Sequence, residues 1–224
     1  MNKFSCVIFD LDGTLTRTNE LIFASFNRVA EKYLDKVFSP AEIVSMFGPP
    51  EEVAVERLVG TGRTNEALVD FYEFYELHHQ RLAVLHEGIR QLLDVLKTRH
   101  VRMAVFTGKG RETTRITLCK LGIGHYFDLV VTGSDVQLHK PSGEGIRKVL
   151  DTFSLPPHHV LMVGDAVSDV LAARETGVAM AAVLWDSYGK EQVLEMNVQN
   201  RFSSVDELSV WMTSRLSDNG NDVH

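Results

Sequence analysis

The sequence predicts an α/β protein, a doubly wound parallel sheet with an α-helical cap inserted near its start. Three observations carry that prediction. Short runs that are apolar throughout recur along the second half of the chain, and amphipathic helical segments separate them. Between them and the first such run lies a long stretch with helical spacing only. Strands without polar alternation are buried on both faces, and in alternating β-α order that means a parallel sheet covered by helices.

The elements follow in order. A first strand runs from Lys3 to Asp10. From Thr16 to Leu85 come "NELIFASFNRVAEKYL", "PAEIVSMFG", "PPEEVAVERLVG" and "TNEALVDFYEFYELHHQRL", without a convincing strand. Pro40 and Pro50 suit first-turn positions there, and Gly48 and Gly60 suit helix ends. From Glu87 onward the alternation is regular. The helix "EGIRQLLDVLKTRH" precedes the strand "VRMAVFTG", and "RETTRITLCKLG" is a helix stopped by a left-handed cap at Gly122. Next come the strand "FDLVVTG", the helix "GEGIRKVLDTF", the strand "HVLMVGD", the helix "VSDVLAARETG" ending at Gly177, and the strand "VAMAAVLW". The expected division is a core of residues 1–15 and 86–224, with about five strands joined by right-handed crossovers, and a helical cap of residues 16–85. The tail "SDNGNDVH" is polar and expected to fray.

Composition narrows the function. With 224 residues, 44% of them hydrophobic and 24% charged, the chain has the make-up of a soluble globular protein. Its net charge of −7 argues against general nucleic-acid binding. No apolar run approaches the ~20 residues that span a bilayer, and no signal-peptide pattern opens the chain. Cys6 and Cys119 are expected to be reduced core thiols. A cytoplasmic monomer or homodimer is expected.

Ligands of a doubly wound sheet bind beyond the carboxyl ends of its strands. The stretch "VIFDLDGTL" ends the first strand in Asp10 and Asp12; the second strand ends in Thr107-Gly108; Lys140-Pro141 follows the third; the fourth ends in Gly164-Asp165, with Asp169 four residues on. Each taken alone could be a solvated turn, a surface lysine or a first-turn helix acid. Their convergence on one sheet edge is the stronger observation. Clustered carboxylates raise one another's proton affinity, and a bound cation resolves the repulsion. An all-oxygen donor set points to Mg²⁺ with a substrate phosphate. Lys140, Thr107 and backbone N–H groups near Gly108 and Gly13 are candidate phosphate donors. One Asp could then attack phosphorus, and a second acid could shuttle the proton.

The motifs "DLDGTL", "TGK", "HKP" and "GDAVSD", in this order, resemble the four motifs of the haloacid dehalogenase-like hydrolase superfamily. The resemblance implies Asp10 as nucleophile and metal ligand, and Asp12 as general acid/base with its backbone carbonyl on Mg²⁺. It implies Thr107 and Lys140 at the phosphoryl group, Asp165 on the metal, and Asp169 on it directly or through water. The helical insertion resembles the cap of the phosphoglycolate phosphatase-like group, and "FGPPEE" is similar to relatives that hydrolyse pyrophosphate. Thr18-Asn19 replaces the commoner Asp-Ser, and "KPSGEGI" departs from the Lys-Pro-x-Pro form. The implied activity is Mg²⁺-dependent hydrolysis of a small phosphorylated metabolite, phosphoglycolate-like, through an aspartyl phosphate. Thr14 speaks against a phosphosugar mutase, where valine is common. A non-enzymatic phospho-Asp receiver has a different motif order and no cap.

Other residues read more plainly. Phe71, Phe74, Tyr75 and His78 form a stripe expected to be helix core, with Tyr72 off it. His78-His79 and His158-His159 lack a ligand cluster and are expected at the surface or in packing. The loop Gly48-Pro49-Pro50 opens a helix that could face the substrate, although Glu51 and Glu52 would oppose an anion there. Arg57 and Arg63 are basic residues expected in solvent.

Overall fold

The computed structural model describes residues 4–216; Lys3, expected to begin the first strand, and the polar tail 217–224 lie outside the described residues. Eight strands carry the backbone pairing there: β1 (Cys6–Phe9), β2 (Thr16–Arg17), β3 (Val84–Leu85), β4 (Arg102–Phe106), β5 (Leu129–Val131), β6 (Val160–Gly164), β7 (Ala179–Val183) and β8 (Asn200–Phe202). Six of them form one parallel sheet in the order β5-β4-β1-β6-β7-β8. The order runs outward from β1 on both sides, so a crevice opens at its carboxyl end, where ligands of such sheets bind.

The burial of β1 explains its composition. Val7 and Phe9 pack into one apolar cluster, Cys6 and Ile8 into another, as the two-residue period of a strand requires. Of the helices α1 (Asn19–Leu34), α2 (Pro40–Val44), α3 (Glu51–Val59), α4 (Thr64–Leu82), α5 (Ile89–Thr98), α6 (Arg111–Lys120), α7 (Glu144–Phe153), α8 (Val167–Thr176), α9 (Lys190–Glu195) and α10 (Val205–Thr213), the last six accompany the sheet. Leu93 of α5 and Leu208 of α10 cover one face, and Ile146 of α7, Val170 of α8 and Val193 of α9 the other. The first four form a block with its own apolar cluster, including Leu21, Phe26, Val55, Phe71 and Tyr75, which Ile116 of α6 also joins. No helix among the described residues is long and apolar enough to cross a membrane.

The punctuation agrees with the expected chemistry. Pro40 opens α2 behind a Ser39–Glu42 capping box, and Gly177 closes α8 at φ 72°. Pro50 stands one place earlier than expected, as the N-cap of α3.

Several expectations need correction. The sheet has a sixth strand, β8, whose "NRF" carries no apolar run because it is an edge. The helical stretch is framed by a short antiparallel ribbon, β2 with β3, too brief to show a period. Cys119 is exposed on α6 rather than a core thiol. The buried stripe of α4 is Ala67, Phe71, Tyr75 and His79, spaced by four, so Phe74 and His78 are only half-buried.

Candidate active site

The strand ends deliver the acids. The N–H of Asp10 donates to Val163 O (2.9 Å), continuing the β1–β6 pairing and fixing where its side chain emerges. Asp165 directly follows β6, and Asp169 lies in the first turn of α8, where its Oδ2 accepts the N–H of Ala166 (3.1 Å). One carboxylate oxygen from each of Asp10, Asp165 and Asp169 lies within 4.8 Å of the others, and all three residues are buried. Lys140 Nζ bridges two of them, donating to Asp10 Oδ1 (2.8 Å) and Asp169 Oδ1 (2.6 Å). Asp165 Oδ1 accepts from Thr14 Oγ1 (2.9 Å). Valine at position 14 would remove that donor.

The electrostatics follow from this crowding. Burial pushes Asp10 up to about 6; Lys140 pulls it down and Asp169 adds to the rise. Burial, then the charges of Asp10 and Asp169, lift Asp165 well above the usual carboxylate range. Burial would lower Lys140, yet Asp10 and Asp169 more than offset it, so its pKa rises and it stays charged. Three buried carboxylates against one ammonium leave room for more positive charge, and their all-oxygen chemistry fits a hard divalent ion.

A second charged group adjoins the first. Asp12 accepts from Thr18 Oγ1 through Oδ1, and its Oδ2 lies 3.2 Å from Lys109 Nζ. Lys109 is buried, 3.4 Å from Glu51 Oε1 and 4.8 Å from the Tyr75 ring centroid. Burial raises the pKa of Asp12 against the pull of Lys109. Glu51 also accepts the Gly110 N–H and the Thr113 hydroxyl (2.8 Å). Gly110 is the N-cap of α6 and has no side chain with which to cap it. Glu51, in the first turn of α3, accepts the N-cap's own N–H from the helical block and lies where the helix dipole favours a carboxylate, while Ser134 Oγ accepts the N–H of Arg111 (3.0 Å).

Asp10, Asp12, Gly13, Gly48, Pro49, Thr107, Gly108, Lys140, Asp165 and Asp169 line one cavity of about 280 Å³. The structure therefore gathers nearly every residue that the sequence singled out. Pro50 is outside the lining; it is buried and packs towards Gly133. Gly13 needs a different account, because its N–H donates to Thr16 O (2.9 Å) and is spent within the turn. Glycine is required there by φ +79° and by Asp165, whose Oδ2 would stand 2.6 Å from a Cβ. Arg57 is exposed and Arg63 donates to Tyr33 O (3.1 Å); neither lines the cavity. Among the described residues His158 and His159 join no group of potential ligands. Sequence reasoning missed Lys109, Glu51 and Thr18. Lys109 closes the quoted "TGK", and that adjacency was the available signal.

The arrangement brings buried carboxylates, two ammonium groups and a threonine hydroxyl into one cavity, and comparison with known proteins gives the family to which it belongs. The model of the haloacid dehalogenase-like hydrolase family matches residues 7–183, and the chain belongs to that family. Pyrophosphatase PpaX of Bacillus velezensis is 32% identical over 189 residues, covering 84% of this chain and 87% of that protein. Pyrophosphatase PpaX of Halalkalibacterium halodurans is 30% identical over 206 residues, covering 92% and 95%. The crystal structure of a predicted phosphoglycolate phosphatase from Haemophilus somnus superposes with a TM-score of 0.83, at 22% identity over 94% of this chain and 99% of that one. That likeness establishes the fold.

Proposed function

We propose that this chain is a Mg²⁺-dependent phosphatase of small phosphorylated metabolites that works through an aspartyl phosphate at Asp10. The observation that carries the reading is the buried group of Asp10, Asp165 and Asp169, bridged by Lys140, in one cavity with Asp12 and Thr107. Asp10, Asp165 and Asp169, with the Asp12 carbonyl, would hold Mg²⁺, which when bound supplies positive charge opposite the transferring phosphoryl group.

The steps belong to the chain's own residues. An oxygen of Asp10 attacks phosphorus and the bond to the leaving oxygen breaks, while Asp12 gives that oxygen its proton. Asp12 then takes a proton from water, whose oxygen attacks the phosphoryl group. The Asp10–phosphorus bond breaks, inorganic phosphate leaves, and the Asp10 carboxylate is restored. Lys140 keeps Asp10 oriented and ionised, and the Thr107 hydroxyl with the Gly108 N–H holds phosphoryl oxygens. Residues 16–85 act as a cap over a core of 1–15 and 86–224, excluding bulk water when closed. Gly48 and Pro49 are the parts of the cap loop that reach the substrate. The setting is cytoplasmic.

Two substrates come from the names of similar proteins. Phosphoglycolate, named for the Haemophilus somnus structure, is the first, and the two PpaX relatives favour pyrophosphate as the second reading. Both use the same attacking atom. Asp10→Asn should lower Mg²⁺-dependent phosphate release by at least ~10⁴-fold. Undiminished release from the purified variant would sink the mechanism.

A further inference from the structure

We infer that the leaving group of the substrate is an uncharged, planar apolar group, and that Phe47 and Tyr188 set this preference. The inference rests on the phosphatase reading above and departs from its two named substrates, each of which carries a second anionic group. It begins with the half of the cavity that this reading leaves unused. Beside the acids, the same cavity is lined by Ile22, Phe26, Val44, Met46, Phe47 and Tyr188. The first five come from the helical block, and Tyr188 from the segment after β7. Phe23 joins the two sides, stacked on Phe47 with ring centroids 6.4 Å apart and edge-on to Tyr188 at 5.7 Å. Phe47 and Tyr188 are nonetheless 43% and 55% exposed. Large rings left open at a cavity mouth offer faces and edges for another ring.

Charge argues in the same direction. Six carboxylates line the cavity, those of Asp10, Asp12, Glu51, Asp165, Asp169 and Asp186, against the two ammonium groups of Lys109 and Lys140. Lys140 is held by Asp10 and Asp169, and Lys109 lies between Asp12 and Glu51. Among the described residues no further Lys, Arg or His lines the cavity. A second anionic group on the substrate, such as the carboxylate of phosphoglycolate or the distal phosphate of pyrophosphate, would find no cation among the apolar side chains, because both ammonium groups, like the proposed Mg²⁺, lie against the acids. It would be desolvated against apolar rings, which is costly for a charge. A ring attached to the ester oxygen would instead bury apolar surface there. It would leave as the alcohol, carrying the proton that Asp12 donates when the phosphorus–oxygen bond breaks.

The test compares benzyl phosphate, methyl phosphate, phosphoglycolate and pyrophosphate as substrates of the full chain with Mg²⁺. Benzyl phosphate and phosphoglycolate are both primary alkyl esters, so intrinsic reactivity does not decide between them. The kcat/KM for benzyl phosphate should exceed those for phosphoglycolate and pyrophosphate by about tenfold or more. The preference for benzyl over methyl phosphate should fall several-fold in Phe47→Ala and in Tyr188→Ala, two exposed positions where truncation spares the core. Faster turnover of phosphoglycolate or pyrophosphate would overturn the inference and leave the phosphatase reading intact. A benzyl preference unchanged in both variants would also overturn it. No phosphate release from any of the four would overturn the phosphatase reading and this inference together.

Discussion

Two buried lysines in one cavity, each set between two carboxylates, are held in different ways. Lys140 bridges Asp10 at the end of β1 and Asp169 in α8, so its surroundings belong wholly to the sheet and its helices. Lys109 lies between Asp12 at the sheet edge and Glu51 of the helical block. The first group is fixed by the α/β fold alone. The second exists only while the helical block rests on the N-terminus of α6. Substitution of Lys140 should therefore act on chemistry and metal affinity, and substitution of Glu51 on docking and stability.

The largest effect is expected on the Lys140 side. Lys140→Met leaves Asp10, Asp165 and Asp169 without their ammonium, and turnover measured as phosphate release should fall by roughly 10²–10³-fold. A loss below tenfold would separate Lys140 from the chemistry. Next comes Gly13→Ala, which combines a left-handed backbone strain of about 1–2 kcal/mol with a Cβ directed at Asp165. Calorimetry should show Mg²⁺ affinity weakened by roughly tenfold or more, the size expected when the support of a metal ligand is disturbed. Unchanged affinity would mean that Asp165 is not a ligand.

Glu51→Gln sharpens the comparison from the other side. The amide oxygen can still accept from Gly110 and its NH2 can donate to the Thr113 hydroxyl, but the side chain no longer balances Lys109. Denaturant melts should show a loss of about 1–3 kcal/mol, with Mg²⁺ affinity unaltered. Weakened metal binding instead would erase the distinction between the two lysines.

The smallest effect concerns His79, which packs against Tyr75 and lies 3.3 Å from Thr117 Oγ1 of α6. Burial, with the charges of Lys109 and Lys120, lowers its pKa from 6.5 to about 4. The unfolded chain therefore takes up this proton at higher pH than the folded one. Its contribution is present above about pH 6.5 and is lost as pH falls towards 4. His79→Gln has no such proton to take up, so the melting-temperature gap between wild type and variant should narrow across that window. A constant gap would contradict a neutral buried His79.

What the sequence made legible follows the same boundary. Asp10, Asp12, Lys140, Asp165 and Asp169 were readable because polar residues that end apolar runs are conspicuous and the sheet brings strand ends together. Cys6, Ile8 and their neighbours in β1 were readable because a run apolar on both faces admits few folds. β8 was not, since an edge strand reading Asn-Arg-Phe lacks that signature. Glu51 and Lys109 were not, because their burial arises from contact between segments far apart in the chain. Glu51 looks like an ordinary first-turn acid until α6 is placed against it. In α4 the stripe was found, but its phase was off by one position at its end, with His79 inside rather than His78. That choice depends on the packing of α6 against α4. Gly13 showed the converse: glycine was necessary, but for the room that Asp165 needs and not for its N–H.

The most direct test of the aspartyl-phosphate reading is a rapid acid quench of the wild-type protein turning over a phosphate ester with Mg²⁺, followed by mass analysis of the peptide that contains Asp10. The account predicts a phosphoryl group on Asp10 that appears during turnover and disappears as substrate is exhausted. Rapid phosphate release with Asp10 unmodified at every quench time would contradict it.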